Sequence, residues 1–284
     1  MKDFAGRVAV ITGAASGMGR AFSQRFAREG ARIVMADVEA AALERAVAEL
    51  RATGADVLGV QTDVSSLESV QALAGRALEV YGKVHLVFNN AGVEGYLDGP
   101  IWEATSKDWA WTFGVNFWGV VHGVRTFLPI LLGQDEEGYV VNTSSATGLV
   151  RGGNMYGITK HAVRALSETM YTQLKQRQAK IGVSVLCPGV VNTRIFEGSR
   201  NRPLELRNEQ PTSGVEAGAA MRRAMVERMP QQKPAADVAE IVIQAIRDER
   251  FYITTDHEWD ARIASFVDGL THGTNPPLDA PAPR

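Results

Sequence analysis

Cysteine is almost missing from this chain: Cys187 stands alone among 284 residues, so no intrachain disulfide can brace the fold. A strong charge of either sign is missing as well. The formal net charge is −2 and no basic tract occurs, which removes the electrostatic footprint of a nucleic-acid binder. No apolar run approaches the roughly 20 residues that a membrane helix needs, so no membrane span is expected. The opening stretch "MKDFAGRVAVITG" has neither the longer apolar segment nor the small-residue cleavage site of a signal peptide, and a cytoplasmic protein is the expectation. Metal-type spacing is absent too. His85, His122, His161, His257 and His272 form no HExxH and no other paired arrangement, so no metal site is expected. What remains is ordinary globular material: 45% hydrophobic and 22% charged residues, a balance that supports a substantial core.

Strand-like and helix-like segments alternate through residues 7–253. The strand candidates are "RVAVIT" (7–12), "RIVMA" (32–36), "VLGVQTD" (57–63), "VHLVFNN" (84–90), "YVVNTSS" (139–145), "VSVLCPG" (183–189) and "FYIT" (251–254). Helical patterns fill 17–29, 67–81, 105–132, 155–179 and 235–248, and an alanine-rich helical stretch closes on Gly54. Short apolar runs between amphipathic helices predict an α/β fold, a single-domain doubly wound parallel sheet of about seven strands with helices on both faces. One domain is expected over 1–272. Residues 194–234 contain no strand and read as an insertion that could cover a cleft. The proline-rich end "GTNPPLDAPAPR" (273–284) reads as a poorly ordered tail.

Between the first strand and the first helix lies "TGAASGMG" (12–19). Gly13, Gly17 and Gly19 let the backbone turn tightly and approach a ligand without a Cβ in the way. The helix that follows aims its free N–H groups and positive dipole end at the same place, where a pyrophosphate is the expected guest. Asp37 ends the second strand, 18 residues beyond Gly19. An acid there can accept hydrogen bonds from an adenosine ribose and would repel a 2′-phosphate. NAD is therefore expected in preference to NADP, although Asp37 could instead cap the helix that starts near residue 40.

Tyr156 and Lys160 are four residues apart in "YGITK", one helical turn, and so lie on one face about 40° apart around the axis. A free phenol ionises near pH ~10, and a nearby ammonium favours the phenolate, which would make this tyrosine a usable acid or base. With these pieces the chain resembles the short-chain dehydrogenase/reductase family. The matching motifs are "TGAASGMG", "ADV" (36–38), "TDV" (62–64), "NNAG" (89–92), Asn116 in "GVNFWG", "SSATG" (144–148), "YGITK" (156–160) and "PGVVNT" (188–193), spread over about 180 residues in the family's order.

The resemblance implies a Rossmann fold and an NAD-dependent oxidoreductase that interconverts a secondary alcohol and a ketone. It implies a catalytic set of Asn116, Ser145, Tyr156 and Lys160: Tyr156 as proton donor or acceptor, Lys160 tuning it and holding a ribose, Ser145 orienting the reacting oxygen, and Asn116 anchoring a water relay. Ser145 lies 11 residues before Tyr156, a short interval, and Ser144 lies 12 before, so the choice between the two serines stays open. Cofactor contacts are implied at Gly13, Ser16, Gly17, Met18, Gly19, Asp37, Val38, Asp63, Val64, Asn90, Ala91, Gly92, Pro188, Gly189, Val191 and Thr193, with Tyr156 and Lys160. Around the nicotinamide it groups Tyr96, Leu97, Val150, Met155, Val190, Ile195 and Phe196, with Ser145 as a further substrate contact. An apolar or aromatic small molecule fits that set. Arg151, Arg194, Arg200 and Arg202 offer a rival, an anionic substrate. "RIFEGSRNRP" (194–203) is similar to bacterial dehydrogenases that oxidise benzylic alcohols of lignin-type aryl ethers, which points towards aromatic substrates.

Helices 105–132 and 155–179 pack against their copies in this family, which implies a homotetramer or a homodimer, with aromatic residues on more than one face of the first helix. Two other functions use overlapping parts. An acyl-thioester ketoreductase shares the catalytic pieces but suits Asp37 and the insertion less well. A non-catalytic NAD-sensing protein would need the cradle without all four of Asn116, Ser145, Tyr156 and Lys160.

Overall fold

The computed structural model describes residues 1–151, 153–209 and 214–276. Seven parallel strands form one sheet in the order β3 (Val57–Gln61), β2 (Arg32–Asp37), β1 (Val8–Thr12), β4 (Leu86–Asn89), β5 (Gly138–Thr143), β6 (Ile181–Cys187), β9 (Tyr252–Thr254). The chain runs β1 (Val8–Thr12), α1 (Gly17–Arg28), β2 (Arg32–Asp37), α2 (Ala40–Arg51), β3 (Val57–Gln61), α3 (Leu67–Tyr81) and β4 (Leu86–Asn89). It continues through α4 (Ser106–Phe113), a π turn at Gly114–Trp118, α5 (Gly119–Gly133), β5 (Gly138–Thr143), α6 (Met155–Gln176) and β6 (Ile181–Cys187). After the two-residue strands β7 (Val191–Asn192) and β8 (Lys233–Pro234), which pair with each other, come α8 (Ala235–Arg247), β9 (Tyr252–Thr254) and α9 (Asp260–His272); α7 (Val215–Arg228) lies between β7 and β8.

The strands are near-continuous apolar runs because both faces are covered. Side chains alternate across the sheet, so Ala9 and Ile11 of β1 join Phe22, Phe26, Val47, Val242 and Ile246 on one side. Val8 and Val10 join Leu73, Phe127, Leu131, Met170 and Leu174 on the other. β1 lies between β2 and β4, with crossovers leaving in opposite directions on either side. That reversal opens a crevice at the carboxyl ends of the strands, the usual ligand position in such sheets.

Three segments differ from the sequence expectation. The 194–234 insertion is not wholly irregular: it contains α7 and the strand β8. Helix α9 was not anticipated from sequence, since its face is only loosely amphipathic and none of its residues is buried. The continuous helix Ser106–Gly133 is, by length and composition, apolar enough to cross a membrane, contrary to the reading of short runs. Its inner residues Phe127 and Leu131 belong to the core, which accounts for part of that apolarity. Of the tail, residues 277–284 lie outside the described residues, as do 210–213 of the insertion.

Candidate active site

The crevice at the switch point is an open cleft with a cavity volume of about 230 Å³. Gly13, Ser16, Gly17 and Met18 of the first loop border it, with Asp37, Val38, Asp63, Val64, Asn90, Ala91, Gly92, Tyr156, Lys160 and Thr193. The glycine loop is built for close approach. Gly13 has φ +66° and a Cβ there would lie 2.9 Å from Ala91 Cα, while a Cβ on Gly19 would run into the carbonyl of Gly13. Gly17, at φ +52°, opens α1 directly beneath the side chain of Thr193. Thr12 ties this loop to the end of β4: its hydroxyl accepts from the amides of Asn90 (2.9 Å) and Ala91 (3.1 Å), and Asn90 Nδ2 donates to its carbonyl (2.9 Å). The cradle therefore fits a dinucleotide pyrophosphate on its own geometry.

Asp37 is held in place at the end of β2. Oδ2 accepts from the Ala15 amide and Oδ1 from the Glu39 amide, each at 3.0 Å. Burial pushes its carboxyl above the usual range, and those amides pull the other way. Asp63 has a local role as well, since Oδ1 accepts from the amide (2.9 Å) and hydroxyl (2.7 Å) of Ser65.

The four catalytic candidates converge beside the cradle. Asn154 starts α6, its side chain accepting from the Gly157 amide at 2.9 Å, which sets Tyr156 and Lys160 in the first turns. The Lys160 ammonium stands 5.3 Å from the Tyr156 ring centre and donates to the Thr143 carbonyl at 2.9 Å. Of the two serines it is Ser145 that acts on the Tyr156 phenol, favouring its ionised form, while the Ser145 hydroxyl accepts from the Thr147 amide at 3.2 Å. Ser144, in contrast, is fully buried and donates to the Lys160 carbonyl at 2.7 Å. The short approach from Ser145 to Tyr156 is accommodated by Gly148, where a Cβ would meet Ser144 Oγ and lie 2.8 Å from the Lys160 carbonyl oxygen. Gly152, also in that approach, lies outside the described residues.

Asn116 sits in the π turn with its side chain fully engaged. Oδ1 accepts from the Val93 amide (2.8 Å), and Nδ2 donates to the Val93 carbonyl (2.9 Å) and to Thr159 Oγ1 (3.2 Å). Its amide pins the loop after β4 against α6, so any relay through this residue has only main-chain groups at its disposal.

Electrostatics run against the simple expectation for the tyrosine. Burial pushes the phenol up to about 12, with the Ser145 hydrogen bond opposing it, and burial pulls the lysine down to about 8. Desolvation is the largest influence on both groups, even though Tyr156 keeps some exposure at the cleft.

Several sequence candidates lie off the cleft. Met155 is fully buried, Tyr96 is 5% exposed and Val150 packs with Ala146 and Trp259; like Ser145 and Asn116, these three and Val190 and Phe196 are not among the residues that line the cleft. Pro188, Gly189 and Val191 stand behind the wall. The Pro188 carbonyl accepts from the Ala146 amide (2.8 Å) and the Gly189 amide donates to Thr255 (3.0 Å), while Val191 is buried. The apolar lining includes Ile195 of the sequence candidates, and otherwise comes from Val93, Ala110, Trp111, Val115 and Leu206. Helix periodicity could have flagged Ala110, Trp111 and Val115, but nothing in the sequence says which face of that helix meets the cleft.

The arginines of the insertion are engaged with acids rather than open to an anion. Arg194 pairs with Glu197 (2.8 Å), Arg200 with Glu39 (2.5 Å) and Arg202 with Asp108 (2.7 Å). Glu94, another acid the sequence did not single out, is 3% exposed under the same insertion, and a Cβ on Gly198 would collide with its carboxylate. Burial pushes its carboxyl upward.

A doubly wound sheet with a glycine cradle, a ribose-type acid and a tyrosine–lysine pair at its switch point defines a dinucleotide-dependent class of protein. The short chain dehydrogenase family model matches residues 7–203. A 1-deoxy-11-beta-hydroxypentalenate dehydrogenase of Streptomyces exfoliatus is 37% identical over 95% of this chain and 91% of its own length. A C alpha-dehydrogenase of a Sphingobium species is 34% identical over 89% of this chain and 81% of its own. The crystal structure of a Burkholderia phymatum short-chain dehydrogenase/reductase in complex with NAD superposes with a TM-score of 0.94, at 46% identity, covering 99% of this chain and 100% of that one. The chain belongs to the short-chain dehydrogenase/reductase family, oxidoreductases that act on CH–OH groups with a nicotinamide cofactor.

Proposed function

We propose that this protein is an NAD-dependent dehydrogenase/ketoreductase that interconverts an apolar or aromatic secondary alcohol and its ketone, with Ser145, Tyr156 and Lys160 as the chemical set. The observation that carries the reading is the Tyr156–Lys160 pair, its ammonium 5.3 Å from the ring centre, lining the same cleft as the dinucleotide cradle. The nicotinamide supplies the hydride acceptor or donor. Ser145 orients the reacting oxygen. Tyr156 gives a proton to that oxygen in reduction and takes it in oxidation, and Lys160 stabilises the phenolate that results. Asn116 holds the loop after β4 and the start of α6 in register. A Tyr156→Phe variant should lose about 10²–10⁴-fold of turnover on a panel of aryl and cyclic secondary alcohols while still binding NADH; surviving turnover would sink the mechanism.

The apolar lining and the paired arginines favour an uncharged substrate over an anion. Asp37 supports NAD over NADP, since its carboxylate borders the cleft where a 2′-phosphate would have to sit. Trp109, Phe113, Phe117, Trp118 and His122 form an aromatic ladder with successive ring centres 5.5, 6.4, 5.8 and 6.0 Å apart, and Trp118 is 48% exposed. That stripe supports a homotetramer or a homodimer. Light scattering giving a monomer would count against it.

A further inference from the structure

The segment from Arg194 to Asn208 forms one wall of the cleft, through Arg194, Ile195, Gly198, Arg200, Asn201 and Leu206. It is fastened at two unequal points. The first is deep. Arg202 pairs with Asp108, itself 1% exposed, and its guanidinium stacks 5.1 Å from the Trp111 ring centre. Asn208 donates to both Asp108 oxygens at 3.2 Å and accepts from the Thr105 hydroxyl at 2.8 Å. Burial opposes the ionised Asp108, yet bonds from Thr105, Arg202 and Asn208 hold its carboxyl below the usual range.

The second point is shallow and lies on the other side of the cleft. Glu39 stands at the cap position of α2, where Ser, Thr, Asp or Asn would ordinarily bond the first turn. Its side chain makes no cap bond. Oε1 instead accepts from Arg200 Nη2 at 2.5 Å and Asn201 Nδ2 at 2.9 Å. The arginine is aimed at it by a bond from Nη1 to the Glu197 carbonyl at 2.8 Å. Chiefly through the Arg200 bond, the Glu39 carboxyl sits below the usual range. Glu39 is two residues past Asp37, and its own amide donates to Asp37. The acid that borders the ribose end of the cleft and the acid that holds the opposite wall are thus one short turn apart.

We propose that Glu39, Arg200 and Asn201 form a clasp that keeps the 194–208 segment closed over the adenosine end of the cleft, hinged on the Arg202–Asp108 anchor, so that the dinucleotide leaves only when the clasp opens. These are positioning residues: they hold a wall rather than touch the reacting atoms. The clasp also neutralises Arg200, a cation that would otherwise face a 2′-phosphate beside Asp37. The inference rests on dinucleotide binding in this cleft and does not depend on which alcohol is the substrate.

The test is the NADH dissociation rate, followed by stopped-flow fluorescence on displacement with excess NAD. Wild type, Glu39→Gln, Arg200→Gln and the double variant are compared, with Glu79→Gln as a charge control in the remote Arg76–Glu79 pair. Each single variant should release NADH roughly three- to tenfold faster, and the double variant no faster than the quicker single one. The control should match wild type. If Arg200→Gln folds poorly, Asn201→Ala takes its place with a smaller rise expected. Unchanged release in the singles, or a double variant whose effect is the product of the two, overturns the clasp while leaving the dinucleotide reading intact. A wild-type protein that binds no NADH overturns both.

Discussion

The floor of the site and its lid are held by different forces. The floor consists of the ends of β4 and β5 and the first turns of α6, and its side chains are fixed by burial and by bonds to the main chain: Asn116 to Val93, Ser144 to Lys160, Lys160 to Thr143. The lid buries less apolar surface, with Leu204 76% exposed, and it is fastened to the rest of the molecule by two arginine–carboxylate pairs, the shallower Arg200–Glu39 and the deep Arg202–Asp108. A packed floor keeps reacting groups within tenths of an ångström. A wall whose outer tie is a partly exposed ion pair can open there at modest cost, and that tie is screened by salt. The molecule combines a rigid site with a releasable cover.

The largest effect should come from breaking the floor at its chemical point. Ser145→Ala is expected to cost about 10²–10³-fold in turnover with little change in melting temperature. Ser144→Ala should do the reverse, lowering stability by about 1–2 kcal/mol through the orphaned Lys160 carbonyl contact while keeping most turnover. Steady-state rates beside urea denaturation separate the two serines, and a larger turnover loss at Ser144 would reverse the assignment. At the lid's deep anchor, Arg202→Met leaves Asp108 buried without its cation and should destabilise the protein by about 3 kcal/mol. A loss near zero in denaturant titrations would show that the anchor is not a hinge.

Smaller effects probe the cofactor end. Asp37→Ser combined with Val38→Arg should move the kcat/KM preference from NAD towards NADP by roughly 10²-fold; an unchanged ratio would remove Asp37 as the discriminating group. The smallest effect is a pH dependence in the floor. Burial holds the Lys160 ammonium at about 8 against an ordinary 10.5. Below pH 8 both folded and unfolded chains carry that proton, and the native state bears the full desolvation cost. Between about 8 and 10.5 the unfolded chain binds more protons, so this site's contribution to stability improves as pH rises. Lys160→Met should therefore gain most over wild type at pH 7, with the gap narrowing towards pH 10. Melting curves with a constant gap would contradict it.

Reading the sequence went furthest where a local rule and the fold agree. The seven strands of the main sheet, the glycine cradle, Asp37 and the one-turn spacing of Tyr156 and Lys160 all depend on contacts between near neighbours in the chain or on the period of the pattern. It went less far where distant segments meet. Arg200 and Glu39 are separated by 161 residues and Arg202 and Asp108 by 94, so four surface-looking charges gave no sign of pairing. Met155 of the substrate set is fully buried for a related reason, since a helix residue beside Tyr156 can face the core as readily as the cleft. Helix α9 escaped notice because none of its side chains is buried and its pattern is weak.

By itself the sequence determined the class of fold, the cradle and the presence of a tyrosine–lysine pair, because periodicity, glycine at positive φ and helical spacing act over a few residues. The tertiary structure alone decided which serine faces the phenol, which way burial moves the Tyr156 and Lys160 protons, and how the arginines of the insertion are paired. Those outcomes turn on desolvation and on charge pairs across the cleft, and neither exists until the chain has closed around them.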